Sequence, residues 1–311
     1  MRNAIVLAGV CLVMLVTAVS IGEEPQVQTA AAAPAIVTVA EAHPFLTTGT
    51  LSQARLADLP EGVILQAEGV EITADSLAPE IARAPEAMRG QLNNNLFFVL
   101  EQAATEKLLI AAARKAGAVK EGTPDRDAIQ AYLEGIAATV AMTEAEVAQY
   151  YEANKAACGG ATLEDMRSML ADYVLKEKKQ AAVEAHIATL GDRMEIRVDR
   201  AWAGKQAQAL DSPVDKARAG GLPVMVDFGA HGCGPCDMMT PILADMQKAL
   251  AGKADVLFVP VREEQILAAR YGIRSIPVQV FFDKAGREIY RHTGFFPQAE
   301  CEAWLKKAGL E

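Results

Sequence analysis

Apolar residues along this 311-residue chain recur at helical spacing through the first two thirds and at strand spacing through much of the last third. Between about residues 75 and 190 they fall three and four positions apart, which predicts amphipathic helices. A short hairpin is expected first, Val63-Ile-Leu-Gln-Ala-Glu-Gly-Val-Glu-Ile-Thr73, followed by helices near 75–83 and 86–117. The second of these places Leu92, Leu96, Val99 and Ala103 on one face. Thr123-Pro124 starts another helix, and Thr143-Glu-Ala-Glu146 has capping-box spacing ahead of Val147-Ala-Gln-Tyr-Tyr151. The longest helix runs from Thr162 to about Leu190, its stripe made of Leu163, Met166, Leu170, Tyr173, Val174, Val183, Ile187 and Leu190. A strand, Met194-Glu-Ile-Arg-Val198, closes the segment.

From Leu222 the pattern changes. Strands are expected near 222–228, 255–261, 278–282 and 286–291, alternating with helices near 234–250, 263–271 and 297–308. Pro241 falls inside the first of these helices, where it is expected to kink the helix without ending it. The pattern is that of an α/β unit behind a mainly helical one, and the length suits two domains.

Ahead of both, Arg2 precedes an uncharged run from Ala4 to Gly22, so residues 1–22 read as a signal peptide or a membrane anchor. Either way the chain is expected to be exported, periplasmic or held at the inner membrane by residues 4–22. Cys11 lies in the run without a lipid-attachment context, since Val10 precedes it. Residues 23–61, rich in Ala, Pro and Thr, read as a flexible linker. The formal charge of −10 lies wholly upstream of residue 205, because residues 205–311 carry 13 basic and 13 acidic side chains. Nothing in this distribution suits a nucleic-acid backbone, so no nucleic-acid partner is expected.

Candidate chemistry concentrates at Cys233-Gly-Pro-Cys236, six residues after Asp227. A helix starting at Cys233 has unpaired N–H groups and a positive dipole end there, which favours thiolate at Cys233, with Cys236 one turn away to close a disulfide. Pro235 fits the first turn, where its missing N–H costs nothing. Zinc would need two further ligands, and His43, His186, His231 and His292 are scattered, so no metal or other cofactor is expected. A purely structural bridge closing so short a loop would constrain the unfolded chain little. Asp227, in an apolar strand, is either held neutral with a raised pKa or faces outward. Pro277, at a strand start after Ile276, is either a cis site or an ordinary trans turn. Cys158 and Cys301 are expected to be unpaired thiols, Cys301 packed in the last helix.

Residues 205–311 resemble the thioredoxin family in Val226-Asp227-Phe228, Cys-Gly-Pro-Cys236, Pro241-Ile-Leu243, Tyr271-Gly-Ile-Arg-Ser-Ile-Pro277 and Gly294, in order and spacing. The resemblance implies a mixed sheet flanked by helices, Cys233 as nucleophile, Cys236 as resolving thiol and Asp227 as buried proton relay. It also implies a cis Ile276–Pro277 bond, with Ile276, Pro277 and Gly294 receiving the substrate backbone. The sequence departs from the family at Gly229 and Gly232, where tryptophan is usual, and at Phe258, which takes the place of a lysine near Asp227. A glycine-lined rim is expected to open the surface around Cys233, and His231 is expected either to replace part of the lost charge or to be a solvated loop residue.

Residues 62–199 resemble, less specifically, the N-terminal chaperone domain of SurA and related exported foldases. The shared features are the Val63–Thr73 hairpin, Glu146-Val-Ala-Gln-Tyr150-Tyr-Glu-Ala-Asn-Lys155 and the long terminal helix. No prolyl isomerase follows, so the resemblance implies only a groove for unfolded polypeptide. The apolar helix faces are equally explained as that domain's own core. The expected function is a protein-disulfide oxidoreductase acting on disulfide-containing or unfolded polypeptide clients, with a membrane electron donor if it reduces them. The alternative is a holdase chaperone whose second domain is a redox-inert docking module.

Overall fold

The hairpin expected at the start of the helical half forms one side of a four-stranded sheet. A computed structural model of the protein describes residues 37–311 apart from 48, 118, 119 and 121. Helix α1 (Val39–Ala42) and strand β1 (Arg55–Ala57) precede β2 (Val63–Ala67) and β3 (Val70–Thr73), and β4 (Arg197–Asp199) returns to complete the sheet. The order is β1-β4-β2-β3, with β1 parallel to β4 and the other pairs antiparallel. Gly69, at φ +71°, supplies the left-handed residue of the β2–β3 turn.

Residues 37–61 are not the expected linker. Val39, Leu46, Leu51 and Leu56 are buried in the same core as β2. Their loop is fixed by the buried carboxylate of Glu101, which accepts from Thr47 Oγ1 at 2.5 Å and from the Leu51 amide at 2.9 Å. Gly191 completes the fit, since a Cβ there would collide with the Thr50 carbonyl oxygen. Ala, Pro and Thr content resembled that of a spacer, and the polar clasp is what orders the segment. The expected signal or anchor at residues 1–22, with Cys11, and the start of the expected linker lie outside the described residues.

Helices α2 (Leu77–Arg83), α3 (Glu86–Asn93) and α4 (Leu96–Lys115) follow, then α5 (Asp125–Ala138), α6 (Glu144–Ala153) and α7 (Leu163–Arg193). The single helix expected over 86–117 is broken at Asn94 and Asn95. Asn95 has φ −132° and ψ 48°, and its side chain donates to the Gln91 carbonyl at 2.8 Å, offering the backbone an alternative to the helical ladder. The buried side of α4 includes Phe97, Val99, Leu100, Glu101, Ala104 and Leu108, so Val99 of the expected face is buried, while Leu92, Leu96 and Ala103 pack partly buried against the same core. The capping box at Thr143–Glu146 forms as the spacing required, and Thr162 with Asp165 starts α7 in the same way.

Helices α8 (Arg200–Gln208) and α9 (Pro213–Ala219) were not anticipated. Each begins at a side-chain cap, Asp199 and Ser212, the second followed by proline at the first helical position. The α/β part then runs β5 (Val224–Gly229), α10 (Gly234–Ala249), β6 (Asp255–Pro260), α11 (Gln265–Arg270), β7 (Val278–Phe282), β8 (Glu288–Thr293) and α12 (Gln298–Lys307). Its sheet order is β6-β5-β7-β8, with β5 parallel to β6 and antiparallel to β7. Side-chain alternation divides β5 between two cores. Val224, Val226 and Phe228 pack on the side that also holds Val214 and Leu267, and Met225 packs with Met239 and Cys301 on the other. Helix α10 continues through Pro241.

Two buried guanidinium groups join this part to the residues before it. Arg270 donates to both carboxylate oxygens of Asp215 at 2.9 and 3.0 Å and to the Phe45 carbonyl at 3.3 Å. Arg218 lies between the rings of Phe45 and Phe282, 4.6 Å from each centroid, while donating to Tyr271 Oη and the Gly286 carbonyl at 2.9 Å each. Gln91 adds a bond to the Glu263 carbonyl and one from the Ile266 amide, at 2.6 and 3.1 Å. Asp215→Ala leaves the Arg270 charge buried without its carboxylate and removes the Ser212 contact at the start of α9. We expect a loss of about 3–5 kcal/mol, read from the midpoint of urea unfolding monitored by circular dichroism. A loss below about 1 kcal/mol would show that Arg270 is satisfied elsewhere.

Candidate active site

Cys233 is the N-cap of α10, and its backbone carbonyl accepts from the Asp237 amide at 2.8 Å. Because Pro235 has no N–H, the amides of Gly234 and Cys236 are the donors left at the helix start. Cys233 and Cys236 are joined by a disulfide with Cα atoms 5.2 Å apart. Cys233 is partly exposed and Cys236 is buried, so one sulfur meets solvent and the other does not. Gly232, at φ +78°, turns the chain into the helix, and its amide donates to the Asp237 carboxylate at 3.3 Å.

The loop before β7 forms the facing wall. The Ile276–Pro277 bond is cis, and the Ile276 carbonyl oxygen lies 4.0 Å from Cys233 Sγ. Pro277 is buried and Ile276 partly exposed. The Gly294 amide donates to the Pro277 carbonyl at 2.8 Å, with Gly294 at φ +103°, a conformation that disfavours any side chain there. Ile276, Pro277 and Gly294 are thus brought together beside Cys233. Met238 and Phe295, both exposed, follow Cys236 and Gly294 in sequence and add apolar surface to the segments around the site. Sequence reasoning missed them.

Asp227 resolves to one of its two sequence readings. It is fully buried, on the face of β5 that packs against α10 and α12. Burial pushes its carboxyl up to about 6, opposed by one hydrogen bond from Gln279 Nε2 to Oδ1 at 2.7 Å. Oδ2 has no hydrogen-bond partner among the described residues. Across the sheet Asp227 stands between Phe258 on β6 and Gln279 on β7, and Gln279 in turn pairs with His292 on β8. Gln279 was also missed. Its signal was a lone amide in the apolar run Val278–Phe282, the same kind of anomaly that made Asp227 conspicuous.

The expected glycine-lined rim holds at one glycine and fails at the other. Gly232 is exposed, with open space where a side chain would start. Gly229 is buried. A Cβ on it would lie 3.0 Å from the Phe258 ring, 3.3 Å from Asp227 Oδ2 and 3.6 Å from Cys236 Cβ. Phe258 therefore occupies space that a residue-229 side chain would need. His231 is an exposed loop residue whose ring centroid is 5.7 Å from that of Phe258.

Cys158 and Cys301 are free thiols, the first partly buried and the second fully so. Burial pushes the Cys301 thiol up to about 12, with the Asp227 charge adding to the shift. Among the described residues, no three or more His, Cys, Asp or Glu side chains gather as a metal site, and no helix is long and apolar enough to cross a membrane.

A family profile described as a thioredoxin-like domain matches residues 210–309. Thioredoxin from Rickettsia felis is 40% identical over 87 residues, covering 28% of this chain and 82% of the relative. Thioredoxin from Alicyclobacillus acidocaldarius is 39% identical over 95 residues, covering 30% of this chain and 90% of the relative. Among solved structures, a mutant thioredoxin from Halobacterium salinarum is 27% identical, with a TM-score of 0.30 and coverage of 33% of this chain and 87% of that one. The family match lies within the last third of the chain, and residues 62–199 fall outside it.

The Asp227 carboxyl has a stability consequence whose sign is fixed. Its folded pKa is raised above the unfolded value near 3.8, so the native state binds the extra proton between about pH 4 and 6, and stability falls as pH rises through that window. Asp227→Asn keeps an acceptor for Gln279 and cannot ionise. Relative to the parent it should gain about 3 kcal/mol between pH 4 and pH 8 in urea unfolding of the oxidised protein. A pH-independent difference between the two would refute the raised pKa.

Proposed function

The chain belongs to the thioredoxin family, and from that membership we propose that it is a thiol–disulfide oxidoreductase that reduces disulfides of polypeptide clients. The observation that carries the reading is the bridged Cys233–Cys236 pair, with its exposed sulfur at a helix start and beside the Ile276 carbonyl. Once the pair is reduced, the unpaired amides and dipole of α10 favour thiolate at Cys233. That thiolate attacks a client disulfide, one client sulfur leaves as thiolate, and Cys233 becomes covalently linked to the other. Cys236 then loses its proton, with Asp227 as acceptor, and displaces the second client sulfur. The dithiol gives two electrons and the client disulfide takes them.

Ile276, Pro277 and Gly294 are the surface on which the client backbone lies during attack. Support comes from the Ile276 carbonyl beside the reactive sulfur and from the side-chain-free approach at Gly294. A client-holding role for the first half is supported by a groove of about 420 Å³ lined by Leu77, Ala78, Ile81, Ala82, Leu96 and Trp202. Export rests on the sequence of residues 1–22. In an oxidising compartment, net reduction takes a supply of electrons, which a membrane donor would provide.

The test is a trap. Cys236→Ser should accumulate mixed disulfides with polypeptide clients, released by dithiothreitol and visible on non-reducing gels. Cys233→Ser should accumulate none, and its insulin-reduction rate should fall to background. Failure of the parent to turn over, together with failure of Cys236→Ser to trap any client, would leave the holdase reading.

A further inference from the structure

Strand β7 is buried at all five positions and apolar at four of them. The fifth, Gln279, lies wholly inside the face that holds Asp227. Burying a carboxamide costs free energy unless both of its ends are bonded. Here Nε2 donates to Asp227 Oδ1, while Gln279 Oε1 and Asp227 Oδ2 both lack a partner among the described residues. An apolar side chain would avoid the cost at Oε1. What the amide adds is an N–H held against one particular carboxylate oxygen.

An amide N–H can only donate. The oxygen it meets must present a lone pair, so when Asp227 is neutral its proton belongs on the other oxygen. That other oxygen, Oδ2, borders the small space over Gly229, which Cys236 Cβ and the Phe258 ring also border. Resting on the oxidoreductase reading above, we propose that Gln279 is a positioning residue for the resolving step. It anchors Oδ1 and so leaves Oδ2 as the oxygen that takes the proton of Cys236. In that step the Cys236 S–H bond breaks and its proton passes to Oδ2. The Cys233–Cys236 bond forms, the Cys233–client bond breaks, and the client sulfur leaves with the electron pair. The client disulfide is the oxidant, and no other co-reactant enters.

The groups around Asp227 allow this to be read cleanly. Strand β6 contributes Phe258, which carries no charge, α10 contributes Cys236 and α12 contributes Cys301. His292 stands beyond Gln279 on β8, its ring stacked on Phe296 with centroids 4.1 Å apart, and burial lowers its pKa. In the oxidised protein Cys236 does not titrate, and the Cys301 thiol is pushed up to about 12. Asp227 is then followed by its carboxyl carbon, and His292, the other titratable side chain nearby, by its own imidazole C–H resonances.

The experiment uses the full chain. In oxidised protein labelled with 13C-aspartate and 15N-glutamine, the Gln279 side-chain amide should shift with the same midpoint as the Asp227 carboxyl carbon. Gln279→Met keeps the volume and removes the donor, so that midpoint should rise by about one pH unit. Release of 5-thio-2-nitrobenzoate from a preformed Cys233 mixed disulfide should then slow about fivefold at pH 6 and change little at pH 8. Attack by Cys233, measured in a Cys236→Ser background, should keep its rate in the Gln279→Met double variant. A purely structural role would not move the pH profile of one step alone.

An unmoved midpoint and an unmoved release profile in Gln279→Met overturn the inference while leaving the redox function intact. If that variant does not fold, the parent decides: a Gln279 amide that ignores the Asp227 titration overturns the inference. A parent that forms no mixed disulfide at all overturns the oxidoreductase reading, and the resolving step goes with it.

Discussion

An ionised carboxylate between a sheet and two helices is opposed by desolvation, and among the described residues around β5 no cation offsets it. Asp227 meets an uncharged ring on one side and an uncharged amide on the other. The charge is therefore disfavoured relative to that of an exposed aspartate, and the carboxyl keeps its proton up to about pH 6. Much of the local structure follows from accommodating that group. Phe258 fills the layer against it, Gly229 gives up a side chain so that the ring can lie there, and Gln279 ties one oxygen. The two departures from the family pattern at residues 229 and 258 fit each other, since a side chain on residue 229 would press on the Phe258 ring as it lies here.

The surroundings of Cys233 depend on a different part of the architecture. The loop that presents the Ile276 carbonyl is tethered from both sides. Arg291 donates to the Tyr271 carbonyl at 2.6 Å, and Arg274 pairs at 3.1 Å with Glu184 on the long helix α7. The second tether is exposed and worth little in free energy. It nevertheless places the helical half against the wall that faces Cys233. Deeper in, Arg218 and Arg270 join the halves through buried contacts that water does not screen.

Much of the α/β part could be read from the sequence because its signals are local. Short apolar runs, a dithiol at one-turn spacing and a proline at a strand start each have a short list of physical explanations. The capping box at Thr143 was legible for the same reason. What escaped notice depends on partners far apart in sequence. Glu101 orders the loop at residues 47–51, and nothing near either segment announces it. Gln279 has meaning only once β5 and β7 are in register. The break at Asn95 was written locally, as three consecutive asparagines, but the hydrophobic period continued across it and hid the cue.

The stretch that matches the family begins near residue 210, yet the molecule has no seam there. Phe45 covers one face of the Arg218 guanidinium and caps Gly286, whose missing side chain lets the ring approach. A fragment cut at residue 205 would keep the dithiol and its sheet. It would also wet a cationic plane that folded against an aromatic one, and Arg270 would lose the carbonyl of residue 45. The helical half thus serves as an upholstered back to the redox unit, and any kinetic property measured on the shortened piece would belong to a differently supported protein.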